Sequence, residues 1–200
     1  QCDWSSDVCS SDLRLPGCLC LLGSFSGFSL GCTPLLSGND RNMKLLIIGN
    51  QGGTNVGGSL LAGARQLGYE AKLFPATPLA FEPFVQRIRR KLLGDRSALR
   101  SRPSAAQDLR RTIRSFMPEV VLVTGLVVLP PDFFDEVRKT GAKTAIFLTD
   151  DPWNATLYYR YPLTLLPRFD AVFSPRKLHL PDLERVGCKV IRYLPFGFDP

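Results

Sequence analysis

From residue 43 onward, apolar positions fall into short unbroken runs separated by stretches with helical spacing. Leu45, Leu46, Ile47 and Ile48 stand together and are followed at once by Gly49. A run of that kind reads as a strand buried on both faces, the form found in parallel sheets covered by helices. Over residues 59–67, Leu60, Leu61, Ala64 and Leu67 share one helical face, and Gly68 suits the left-handed position after a helix end. Residues 70–74 predict a second strand. Strand, helix and strand at this spacing make a βαβ unit, whose crossover is right-handed in nearly all proteins.

The alternation continues. Ser104 and Gln107 read as a capping box ahead of an apolar stripe of Ala105, Ala106, Leu109, Ile113 and Phe116. Residues 119–124 predict a valine-rich strand. Residues 131–140 predict a helix with Asp132, Asp135 and Glu136 near its start and Arg138 and Lys139 near its end, an order that complements the helix dipole. Strands at 144–148, 170–173 and 189–193 follow, with a helical segment ending near Gly187. The expected fold is α/β, a Rossmann-like doubly wound parallel sheet.

Composition divides the chain at Met43. Residues 1–42 hold five of the six cysteines, and Cys188 is the sixth. Arg14 and Arg41 against Asp3, Asp7, Asp12 and Asp40 give this part a net −2, so the overall +7 leaves +9 for residues 43–200. One redox compartment does not produce such uneven cysteine usage. The segment lacks sustained periodicity, and its acidic start does not suit a signal peptide. Residues 3–13, DWSSDVCSSDL, resemble the conceptual translation of a sequencing-library adapter. Residues 1–42 are therefore expected to be a non-native or disordered tail, and residues 43–200 the folded unit. A chain of that size can bury about 70% of the surface it exposes when unfolded. The longest apolar stretch, residues 13–32, is broken by Arg14, Pro16 and several Gly and Ser, so it does not read as a membrane span.

In doubly wound sheets the ligand sits beyond the carboxyl ends of the strands. Three loops lie there: residues 49–58, 149–154 and 194–200. The first, GNQGGTNVGG, places five glycines before a helix, where backbone N–H groups and the dipole attract anions. It contains neither a P-loop nor the dinucleotide fingerprint, and the second strand ends in Phe74-Pro75 without a ribose-binding acid. A nicotinamide dehydrogenase is disfavoured. Either a phosphate, carboxylate or sugar hydroxyl binds here, or the loop is a plain βα turn.

The second loop, TDDPWN, sets two adjacent carboxylates beside an indole. Adjacent carboxylates repel and need water, donors, a cation or a polyol to hold them. An apolar ring face beside acids is a combination suited to gripping a sugar. Asp followed by Pro also suits a helix start, which accounts for one of the two acids. A response-regulator pocket also pairs acids, but after the first strand, where this chain has Gly49-Asn50.

Residues 85–114 carry ten cations (Arg87, Arg89, Arg90, Lys91, Arg96, Arg100, Arg102, Arg110, Arg111 and Arg114) against Asp95 and Asp108. Phe84, Val85, Ile88 and Leu92 give residues 83–93 an apolar face. The result is a basic amphipathic helix, which suits either a solvated insertion or peripheral contact with an anionic membrane. Residues 85–114 contain no aromatic for base stacking, so nucleic acid is not an expected partner. His179 has no partner in the sequence and reads as a structural histidine. Cys188 reads as a small buried residue.

Three segments together resemble a known family: the start MKLLIIGN with its glycine loop, the acidic TDDPW, and the terminal GCKVIRYLPFGFDP. Residues 43–200 look like the N-terminal half of a two-domain glycosyltransferase of GT-B architecture, in the spore maturation protein CgeB-like group. The resemblance implies metal-independent transfer of a sugar, without a cofactor, from a nucleotide-sugar donor to an acceptor glycan, lipid or protein. It also implies a cytoplasmic location, with any membrane contact through Arg87, Arg89, Arg90 and Lys91 at the inner face. This half would receive the acceptor, and a C-terminal domain outside this sequence would hold most of the donor, so the chain alone is expected to be inactive. On this reading Asp150 and Asp151 are the candidate catalytic residues. Gly52, Gly53, Asn55, Gly57, Gly58, Trp153, Asn154 and Gly197 are the candidate substrate contacts. The alternative is a non-catalytic α/β binding module that docks through its basic helix.

Overall fold

The computed structural model describes residues 43–52, 55–81, 84–93, 100–154 and 163–197. The expected tail at residues 1–42, the candidate Gly53 and the final residues 198–200 lie outside them. The chain opens with β1 (Lys44–Gly49), α1 (Gly57–Gln66) and β2 (Glu70–Pro75). A short antiparallel pair, β3 (Ala80–Phe81) and β4 (Arg100–Ser101), then brackets helix α2 (Phe84–Leu93). There follow α3 (Pro103–Phe116), β5 (Val120–Thr124), α4 (Phe133–Lys139), β6 (Lys143–Phe147), β7 (Ala171–Ser174), α5 (Leu180–Val186) and β8 (Ile191–Tyr193).

Six parallel strands form one sheet in the order β2-β1-β5-β6-β7-β8. The chain steps from β1 to β2, returns to the other side of β1 at β5, and moves outward from there. Right-handed crossovers then require helices on opposite faces. Leu45, Ile47 and Leu122 accordingly pack against Leu60, Leu61 and Ala64 of α1. On the other face Leu46, Ile48, Val121, Val123 and Ile146 pack with Leu109 and Ile113 of α3, Phe133 and Val137 of α4, and Leu183 of α5. Covering both faces explains why β1 and β5 read as continuous apolar runs instead of alternating ones.

Element ends differ by one or two residues from the sequence reading, and one local device differs in kind. The Ser104–Gln107 capping box does not form. Pro103 takes the first helical turn of α3, Arg102 is the extended residue before it, and no side chain caps the end. Proline's fixed φ and missing N–H make it the better starter. Gly68, by contrast, takes the left-handed region after α1 as expected, at φ 82°.

Part of the basic stretch is structural. Arg110 makes two hydrogen bonds to Asp132, at 2.7 and 2.9 Å, and Arg114 binds the buried Glu136 at 2.6 and 2.9 Å. These pairs tie α3 to α4. The Arg110 guanidinium holds the Asp132 carboxyl below its ordinary value, and Lys139 with Arg114 does the same for Glu136. A carboxyl depressed in the fold stabilises above the unfolded value of about 4, and that contribution is lost as pH falls through the folded value. Replacing Arg110 and Arg114 with Ala is expected to lower the urea midpoint near about pH 7. The further drop on going to about pH 3 should then be smaller than in the parent protein. Equal drops in the two proteins would show that these pairs do not carry the acid sensitivity.

Candidate functional site

The ends of four neighbouring strands line up at the carboxyl edge. Gly49 closes β1, Thr124 closes β5, Phe147 closes β6 and Ser174 closes β7. The order reverses between β1 and β5, which makes the crevice beyond their ends the site such a sheet offers a ligand.

On the β1 side stands the glycine loop. Asn50 fastens it to the β2 end: its side-chain oxygen accepts from the N–H of Ala76 (3.1 Å), the N–H of Thr77 (3.0 Å) and the Thr77 hydroxyl (2.8 Å). Gly52 has φ 79°, and both the backbone and side-chain amides of Asn55 donate to its carbonyl, closing a turn. Gly57 is buried where α1 starts; a Cβ there would lie 2.6 Å from the Asn50 carbonyl oxygen. Gly58 has ordinary clearance, 3.7 Å to Gln51 Cγ. Val56, the residue before α1, makes no side-chain capping hydrogen bond. The loop is thus held by its own hydrogen bonds, and Asn55 serves the turn.

Beyond β6 the two acids part company. Asp150 leans toward β5: its Oδ2 is 3.8 Å from the point where a Cβ on Gly125 would lie, and it accepts from the Thr149 hydroxyl at 3.1 Å. Among the described residues no cation pairs with it. Asp151 turns the other way, toward the β7 end. It accepts the Trp153 N–H at 2.9 Å and lies 3.7 Å from Arg176 Nη1 and 3.6 Å from His179 Nε2. The pair is therefore split between an anchored acid and a less committed one. Trp153 is half-buried against the core, with its ring 5.2 Å from that of His179. It belongs to the packing beneath the acids more than to an open platform. Asn154 follows in the same turn, its N–H donating to the Asp151 carbonyl at 3.2 Å.

The cluster around His179 is the part that sequence reasoning missed. The ring is buried, and its Nδ1 lies 3.2 Å from the hydroxyl of fully buried Ser174. That hydroxyl also accepts the Arg176 N–H at 3.2 Å. The one hydroxyl proton of Ser174 is shared between two acceptors, Nδ1 and the Arg176 carbonyl at 3.3 Å, so the tautomer of the ring sets which of them receives it. Burial pushes the His179 pKa down, against the raising effect of Asp151. In an NMR titration the imidazole should change charge below its ordinary value of about 6.5. Asp151→Asn should lower the midpoint further. A rise, or an ordinary midpoint in the parent chain, would contradict the described burial. The missed signal was positional: the loop after β7 must meet the loop after β6, because parallel neighbours end side by side.

Among the described residues, the groove beside the glycine loop does not take in the acids. A groove of about 620 Å3 opens at the β1 and β2 ends, lined by Gly49, Asn50, Gln51, Pro75 and Thr77, with Arg65 and Lys72 further along. Asp150 and Asp151 are not among its lining residues. What joins the two sides is the β5 end, one strand step of about 4.8 Å from each neighbour. Gly197 is exposed after β8, next to Phe196, whose ring edges onto Phe147 at 5.6 Å. Among the described residues no group of three or more His, Cys, Asp or Glu is placed to hold a metal ion. No helix among them is long and apolar enough to cross a membrane. Compared with known proteins, the sequence matches no protein-family model and no curated protein.

Proposed function

We propose that residues 43–200 form the acceptor-side half of a glycosyltransferase cleft, in which a sugar passes from a nucleotide-sugar donor to an acceptor hydroxyl. The observation that carries this reading is the placement of Asp150. It is half-buried at the carboxyl edge beside Gly125, next to the crevice where the strand order reverses, and without a cation partner among the described residues. A carboxylate so placed can accept a hydrogen bond from a sugar or acceptor hydroxyl and orient it. Orientation of a reacting group lowers barriers substantially.

Asp151 acts through its neighbours. It holds Arg176, His179 and the Trp153 turn. The start of α1, where the residue before the helix makes no side-chain cap, suits a phosphate or hydroxyl of a substrate. Gly52, Gly57 and Gly58 serve that loop. The second reading, a non-catalytic α/β module, is favoured by one observation: helix α2 turns an apolar face outward. A transfer assay on the full-length gene product, with a panel of radiolabelled nucleotide-sugars, separates the two. Transfer lost in Asp150→Ala supports the enzyme. Absence of transfer from every donor and to every acceptor class favours the module.

A further inference from the structure

We propose that helix α2 docks the protein on an anionic lipid surface, with the apolar arc of Phe84, Val85, Ile88 and Leu92 inserted among the acyl chains. Exposure carries the inference. Of the ten large apolar residues that stand exposed among the described residues, five lie on this one helix. Phe84 is 74% exposed, Val85 67% and Leu92 77%. Scattered singly, such residues need no explanation; gathered on one short element they mark an interaction surface.

The fold presents the helix outward. The β3–β4 pair clamps the base of the excursion, and the N–H of Arg102 donates to the Leu79 carbonyl at 2.8 Å beneath it. The helix itself is not a strand-to-strand crossover of the main sheet.

Helical register gives the face its chemistry. Phe84, Ile88, Leu92 and Val85 fall within an arc of about 100°. Arg87 and Lys91 hold the register positions bordering that arc on one side, and Arg89 the position on the other. Residues 84–93 contain no acid. A short helix with an apolar arc between rows of cations lies in the plane of a bilayer, its arc in the acyl boundary and its cations at the headgroups. Pairing with a second copy is disfavoured, because stacking two such faces brings like charges together. This inference is independent of sugar transfer.

The test is co-sedimentation of the 200-residue chain with vesicles of phosphatidylcholine alone, or with about 30% phosphatidylglycerol. Binding is expected on the anionic vesicles and should weaken with salt. Two variants should each lower partitioning by about tenfold or more, with an unchanged circular dichroism spectrum. One is Phe84→Ser with Leu92→Ser, which removes the wedge. The other is Arg87→Glu with Arg89→Glu and Arg90→Glu, which reverses the charge. Equal binding by parent and variants overturns the proposal. So does sedimentation velocity showing a dimer, lost in the Ser variant, from a chain that ignores both kinds of vesicle.

Discussion

In the full-length gene product, Asp150→Ala is expected to lower kcat/KM for sugar transfer by about a hundredfold, with the melting temperature unchanged. Its carboxylate has one hydrogen-bond partner among the described residues, the Thr149 hydroxyl on the adjacent position, so little of the fold depends on it. Asp151→Ala should behave differently. It removes the acceptor of the Trp153 N–H and the negative charge facing Arg176 and His179, so activity and stability should fall together. The lost backbone hydrogen bond alone is worth about 1 kcal/mol. Activity assays and thermal melts of the two variants check this. Full activity in Asp150→Ala would remove it from the site. Matching stability losses in both variants would show that the acids are not divided as described.

The second large effect is on stability, and a neighbouring residue controls for it. Gly57→Ala places a methyl group 2.6 Å from the Asn50 carbonyl oxygen, a backbone atom that cannot rotate aside. Alanine would gain about 1 kcal/mol in helix propensity, but overpacking of this kind costs about 1–3 kcal/mol and can cost more. The net result should be a melting temperature several degrees lower, since about 1 kcal/mol shifts a domain of this size by roughly 2–4 °C. Gly58→Ala, one position along the same helix, meets only Gln51 Cγ at 3.7 Å. It should be neutral or mildly stabilising. Thermal melts of both variants decide the matter. Identical behaviour would mean that α1 does not start tight against the glycine loop.

Those two loops show how far a single sequence can be read. The strands at Leu45–Ile48 and through Val123 were legible because burial on both faces leaves no alternation to confuse. Their placement at one edge followed from the parallel order. The start of α3 was misread because two rules competed, and proline's fixed backbone outranked the serine–glutamine pattern.

The division of labour between Asp150 and Asp151 could not be read. The way Asp151 turns depends on Arg176 and His179, residues that arrive from the next strand. Asn50 was hidden for the same reason. Its partners at Ala76 and Thr77 lie a whole βαβ unit away in sequence. The packing of Trp153 was hidden too, because its neighbours are His179 and the core, both distant in sequence. The cations at Arg110 and Arg114 looked like part of one free basic surface until α4 supplied their acids.

Where a substrate touches the sheet decides whether this edge is the site. Amide shift mapping of the isotope-labelled 200-residue chain, titrated with nucleotide-sugars and simple glycosides, measures that contact. Perturbations are predicted at residues 49–58, 124–126 and 148–151, and the Asp150→Ala chain should lose them. Shifts confined to the opposite edge, around Thr144 and Asp170, would contradict it.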